Sequence, residues 1–134
     1  MKIIQLETFL TNAGSRNYLF VRLKTDTGLT GLGEASLEWQ EKIVQTLIHE
    51  WVEDRVVGVD PFDREKVIGQ MIRDQYQGGS TIMTAISGVE VALWDIIGKA
   101  CDQPVYPYKE NSFPSLWDTQ WVQGFAQDQR EKQG

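Results

Sequence analysis

From Ile4 to Ala35 apolar and polar residues alternate with a period of two, and from Gln40 to Cys101 apolar residues recur every three or four positions. Ile4, Leu6, Thr8 and Leu10 alternate with Gln5, Glu7 and Phe9, which predicts a first strand with the former set on one face. Thr11 to Asn17 is a loop by composition. Tyr18 to Thr25 predicts a second strand, with Leu19, Val21 and Leu23 on one face and Phe20, Arg22 and Lys24 on the other. Asp26-Thr27-Gly28 is a hairpin turn in which the glycine is free to take a positive φ. Leu29 to Ala35 then predicts the third strand. Helical spacing follows. Ile43, Val44, Leu47, Ile48, Trp51 and Val52 form the stripe of a first helix, with Gln40, Glu41, Lys42 and Gln45 off it. Asp60-Pro61 reads as an N-cap followed by proline at the first helical position. Phe62, Val67, Ile68, Met71 and Ile72 supply the second helix's apolar face.

The stretch Ile82 to Cys101 predicts the helix around which the rest is organised. Ile82, Ala85, Ile86, Val89, Leu93, Ile96, Ile97 and Ala100 form its stripe. Val91, Ala92 and Trp94 widen it, which predicts burial on more than one side. Gly88 and Gly98 each cost about 1 kcal/mol relative to alanine inside a helix, so another backbone is expected to press against them. Asp95 is expected to pair with Lys99, four residues on, or with a backbone amide. Strands first and helices second predict an α+β domain: a three-stranded antiparallel meander followed by three helices packed on one face of the sheet.

Composition adds boundaries. The 134 residues are one domain's worth, with 41% hydrophobic and 24% charged residues and a net charge of −6. That charge argues against a nucleic-acid partner or an anionic membrane surface. No apolar run is expected to span a membrane, and the N-terminus meets polar residues too soon for a signal peptide. Cys101 is the only cysteine, so no internal disulfide forms, which suits the cytoplasm. It closes an apolar helix and reads as a small core hydrophobe.

No catalytic constellation emerges from the residues alone. Gly28, Gly31 and Gly33 lack the further glycine of a dinucleotide fingerprint, since position 36 is Ser36. They fit a strand packed closely against another backbone. His49-Glu50 begins like a zinc-protease motif, but position 53 is Glu53. Asp60, Asp63 and Glu65 sit at a helix start, where capping and the helix dipole account for them. From Pro104 the character changes. The remainder is rich in glutamine and charge, with Trp117, Trp121 and Phe125 spaced by four, and residues 107–134 are expected to be a poorly ordered tail.

Four stretches carry a resemblance. They are Phe20-Val21-Arg22-Leu23-Lys24-Thr25-Asp26 with Gly28; Gly31-Leu32-Gly33-Glu34-Ala35; Gly58-Val59-Asp60-Pro61; and the last helix, ending in Gly98-Lys99-Ala100 with Gln103-Pro104-Val105-Tyr106. In order and spacing, residues 1–106 resemble the N-terminal capping domain of the enolase superfamily, in its mandelate racemase/muconate lactonizing enzyme branch and nearest to galactonate and mannonate dehydratases. The resemblance implies a carbon–oxygen lyase that removes water from a sugar acid with Mg²⁺, whose ligands and bases sit on a (β/α)₈ barrel of about 250 residues. It also implies that two loops of the capping domain close over the substrate. Arg16 and Asn17 map onto the first, and Ser36, Glu38 and Trp39 onto the second. No catalytic residue and no metal ligand is expected in this chain. Separated from its barrel partner, the chain is expected to be inactive and prone to self-association. A stand-alone interaction module and a truncated gene remnant are the rival readings.

Overall fold

The computed structural model describes residues 1–105; residues 106–134, which include the expected tail with Trp117, Trp121 and Phe125, lie outside the described residues. Three strands, β1 (Ile3–Asn12), β2 (Asn17–Thr25) and β3 (Thr30–Glu34), form an antiparallel sheet in the order β1-β2-β3. Gly28 takes a φ of +87° in the β2–β3 turn. The helices follow. The first is continuous from α1 (Glu41–Leu47) through a π-helical turn (Ile48–Val52) to α2 (Glu53–Val56). A 3₁₀ turn (Pro61–Asp63) leads into α3 (Arg64–Asp74), and α4 (Ser80–Ala100) is the last element among the described residues. The α+β meander with three helical units is thus present as expected.

The core forms where β2 meets the helices. Leu19, Val21 and Leu23 are fully buried and pack with Val44, Ile48, Met71, Ala85, Ile86, Val89, Leu93 and Ile96. β1 departs from simple alternation. A register shift between Ile3 and Gln5 turns Ile3 inward and leaves Ile4 57% exposed, contrary to the expected core face. Backbone bonds from Ile3 N–H to the Val59 carbonyl and from Gly58 N–H to the Ile3 carbonyl hold Ile3 in place.

The first helix buries Val44, Ile48, Val52 and Val56. These are four apart, and in an α-helix such a row drifts by about 40° per step. The π turn lowers the twist per residue, so the row stays on the sheet side. Upstream of that turn Glu41, three positions before Val44, shares its buried face while Ile43 is exposed, the reverse of the predicted stripe. Asp60 caps as predicted, accepting the Phe62 N–H at 3.0 Å, and carries Pro61 at the first position. Phe62 and Ile72 are nevertheless exposed; Ile68 and Met71 are buried in the core and Val67 packs against it.

On α4 the expected close approaches are real. A Cβ on Gly33 would lie 1.9 Å from the Gly88 carbonyl oxygen, and one on Gly31 would lie 2.0 Å from that of Ala92. A Cβ on Gly88 would meet Ala35 Cβ at 2.5 Å. The glycines let β3 and α4 touch backbone to backbone. α4 packs against the first helix and α3 as well as the sheet, so it is buried on more than one side, with Ala92 fully buried; Val91 and Trp94 are nevertheless exposed, Trp94 with the Arg64 guanidinium 4.2 Å above its ring. Ala100 and Cys101 are also exposed, since the helix has run past the sheet, so Cys101 is no core residue. In length and composition α4 is apolar enough to cross a membrane, contrary to the expectation of no such run; half of that stretch is buried in the domain's own core.

Candidate functional site

Two loops and the start of α1 meet at one end of the sheet. The first loop joins β1 to β2 and is held by local bonds. Ala13 N–H donates to the Arg16 carbonyl at 2.9 Å, Gly14 N–H to Asn12 Oδ1 at 2.9 Å, and Asn12 Nδ2 to Asn17 Oδ1 at 2.8 Å. Arg16 is exposed, its guanidinium 4.8 Å from the Tyr18 ring. The second loop leaves β3 at Ala35, whose N–H donates to the Leu19 carbonyl at 2.8 Å. Leu19 N–H donates in turn to Ser36 Oγ at 3.0 Å. The Ser36 hydroxyl therefore extends the β2–β3 ladder by one rung. Trp39 sits in the left-handed region at φ +70° with 90% of its surface exposed. A bulky residue there is strained, and such strain persists where the surroundings impose it.

The two loops enclose a cleft of about 300 Å³. Arg16, Asn17, Glu38 and Trp39 border it, together with Asn12 and Glu41. Four of the five residues expected on the substrate loops are thus brought together. Ser36 is not among those lining the cleft. Glu41 is the residue that sequence reading missed. It is 6% exposed, although its place beside other polar residues put it off the apolar stripe. Only the rotation of the first helix on the sheet reveals it.

Among the described residues no three His, Cys, Asp or Glu side chains form a group able to hold a metal ion. The described residues therefore do not fit Mg²⁺. Elsewhere, Thr8 Oγ1 and His49 Nε2 are 2.7 Å apart, His49 Nδ1 and Glu53 Oε2 are 2.8 Å apart, and Gln45 donates to Thr8 Oγ1 at 3.0 Å. This hydroxyl–imidazole–carboxylate line ties β1 to the first helix and lies outside the cleft lining. Asp60 and Glu7 are held below the usual carboxylate range. The cause is foremost the Phe62 N–H for Asp60 and the Arg22 hydrogen bond, with Lys24 adding, for Glu7. Both serve the scaffold.

The sequence over residues 3–107 matches the mandelate racemase/muconate lactonizing enzyme N-terminal domain. It is 42% identical over 107 residues to the D-galactonate dehydratase of Verminephrobacter eiseniae, covering 79% of this chain and 27% of that protein. Among solved structures it is similar to an enolase from Pantoea ananatis with bound D-gluconate and Mg (TM-score 0.69, 30% identity, 75% of this chain and 25% of that one). It is likewise similar to an enolase from Agrobacterium radiobacter with bound Na and L-malate (TM-score 0.73, 31% identity, 79% of this chain and 27% of that one). The chain spans about a quarter of the length of the curated relatives it matches. With a match over nearly all the described residues and the meander-plus-helices fold behind it, the chain belongs to the mandelate racemase/muconate lactonizing enzyme family, of which it forms the N-terminal domain.

Proposed function

We propose that this domain supplies the capping half of the substrate pocket of a sugar-acid dehydratase acting on a galactonate-like aldonate. The reaction is loss of the proton next to the carboxylate and of the 3-hydroxyl, giving a 2-keto-3-deoxy acid. The bases and the Mg²⁺ ligands are assigned to a (β/α)₈ barrel, since the described residues hold no ligand set. Asn17 and Glu38 offer polar groups to sugar hydroxyls, and Trp39 covers the pocket and keeps water out. Ser36 acts indirectly, by holding the root of the second loop on β2. Alone, the 134-residue chain turns over no aldonate.

The cleft carries this reading: four of the five loop residues named from the family pattern border one concave space. The D-galactonate dehydratase relatives support the substrate class. The test joins residues 1–105 to the barrel of the Verminephrobacter eiseniae enzyme in place of its own N-terminal domain. The fusion is expected to form 2-keto-3-deoxy acid from galactonate, and Trp39→Ala is expected to lower kcat/KM by about tenfold, the scale of one lost transition-state contact. Product from the unfused chain, or a fusion indifferent to Trp39→Ala and Asn17→Ala together, would reject it.

A further inference from the structure

The two edges of the sheet are β1 and β3, and they are treated differently. The bonds of β2 show which groups point outward. Leu19 accepts from Ala35 N–H and donates to Ser36, and Thr25 N–H donates to the Leu29 carbonyl, so odd-numbered residues of β2 bond toward β3. Its even-numbered residues bond toward β1, where Arg22, Phe20 and Tyr18 stand opposite Glu7, Phe9 and Thr11. Between these, Leu6, Thr8 and Leu10 turn their N–H and C=O groups to the open side. Among the described residues nothing bonds those groups; Gln45 and His49 engage only the Thr8 hydroxyl. Leu6 is 4% exposed and already covered, whereas Thr8 to Asn12 are half-buried or exposed.

On β3 the outward Leu32 N–H is taken by Asp95 and the Thr30 carbonyl by Lys99. At the start of β1, Ile3 is closed off by Gly58 and Val59. From Thr8 to Asn12 there is no lysine, no proline and no bulge, the devices that keep an edge from pairing. Such an edge takes an extended backbone, because only a strand repeats donors and acceptors at the matching interval.

A second copy of this chain supplies a strand that fits. With a two-fold axis at Phe9, Thr8 of each copy exchanges both backbone bonds with Leu10 of the other. Phe9 is 40% exposed and then meets its counterpart in the close, non-hydrogen-bonded pair, where aromatic side chains stabilise a sheet. Charge permits the approach. Glu7 is the sole charged residue of β1, and Arg22 at 2.7 Å and Lys24 at 3.2 Å compensate it. The same register sets Glu7 opposite Thr11 of the other copy, so no like charges face each other along the strands of two chains of net charge −6.

We propose that β1 is a homodimer interface, in which the strands of two copies pair antiparallel about Phe9 and join two three-stranded meanders into one continuous sheet. The pairing needs neither a barrel nor the substrate assigned above.

The test is residue-level amide hydrogen exchange, read by NMR on the full 134-residue chain across a concentration series whose mass is followed by sedimentation. Where about nine-tenths of the chain is dimeric, the Thr8 and Leu10 amides are expected to exchange about tenfold more slowly than in dilute chain. The Leu32 amide, already bonded to Asp95, is expected to change much less. Cross-linking gives a second reading. With Cys101→Ser removing the native thiol, Phe9→Cys is expected to form a disulfide-linked dimer under oxidised glutathione, since the Cα atoms of such a pair lie about 4.5 Å apart. Leu32→Cys in the same background, on the guarded edge, is expected to stay largely monomeric. A chain monomeric at every concentration, association that leaves the Thr8 and Leu10 amides unprotected, or Phe9→Cys cross-linking no faster than Leu32→Cys would each overturn the proposal. Protection of those amides that does not depend on concentration would overturn it too, and would assign the edge to residues 106–134 of the same chain.

Discussion

Asp95 on α4 accepts the backbone N–H of Leu32 on β3 at 2.9 Å, and this bond occupies a donor on the β3 edge of the sheet. Lys99, one turn further on, bonds Asp95 at 2.7 Å and donates to the Thr30 carbonyl at 2.8 Å. One donor and one acceptor of an edge strand are thus occupied by a helical ion pair. Unpaired edges template association with other chains, and charged groups placed on them prevent it. Removing the acceptor by Asp95→Ala is expected to lower stability by about 1 kcal/mol, with Asp95→Asn losing less because an oxygen remains. Urea unfolding monitored by tryptophan fluorescence measures both. Equal losses for the two variants would mean that the Leu32 bond contributes nothing beyond the charge.

Gly33 and Gly88 make a sharper prediction. A methyl on Gly33 has no room against the Gly88 carbonyl, and the obstacle is backbone rather than a flexible side chain. Gly33→Ala is therefore expected to cost about 3 kcal/mol, the upper end for overpacking, and Gly88→Leu at least as much. A denaturation midpoint that does not move in either variant would mean that β3 and α4 lie further apart than described.

The depressed carboxyl of Glu7 predicts a pH dependence. Its folded-state value lies below the ordinary 4.5, chiefly through the Arg22 hydrogen bond. A group lowered on folding adds stability that is fully present above its unfolded value and is lost as pH falls through the folded one. Unfolding midpoints taken from pH 6 to pH 3 should fall less steeply for Glu7→Gln than for the unaltered chain, with the two curves a constant distance apart above about pH 4.5 and converging below it. Parallel curves over that range would remove Glu7 from the account.

Self-association is the fourth expectation. Val91, Trp94, Leu32 and Phe62 are exposed, as is Trp39. Apolar surface of this kind draws copies together, and the net charge of −6 opposes it. Sedimentation velocity across a concentration series should show a rising weight-average mass. A single monomeric species at every concentration would contradict it.

Most of the architecture was legible in one dimension, because period two and period 3.6 are consequences of local backbone geometry. The strands, the three helical units, the Asp60-Pro61 start and the glycines pressed between β3 and α4 all follow from residue type and spacing. The two candidate loops were also legible, through the family pattern. What escaped was rotation about each element's axis. One bulge at Ile4 exchanges Ile3 for Ile4. One π turn keeps Val44, Ile48, Val52 and Val56 on one face, and the way α1 docks exposes Ile43 and buries Glu41. Neither leaves a composition signal, since both are set by the contacts that a strand or helix makes once it is docked. Ser36 escaped likewise, its hydroxyl being taken by a backbone donor seventeen positions away. The sequence by itself determined which elements form and in what order, because local sterics and hydrophobic period act within a few residues. Only the tertiary structure decided which face each element turns inward, and so that Glu41 joins Glu38 in the cleft, because that choice is made by packing between segments distant in the chain.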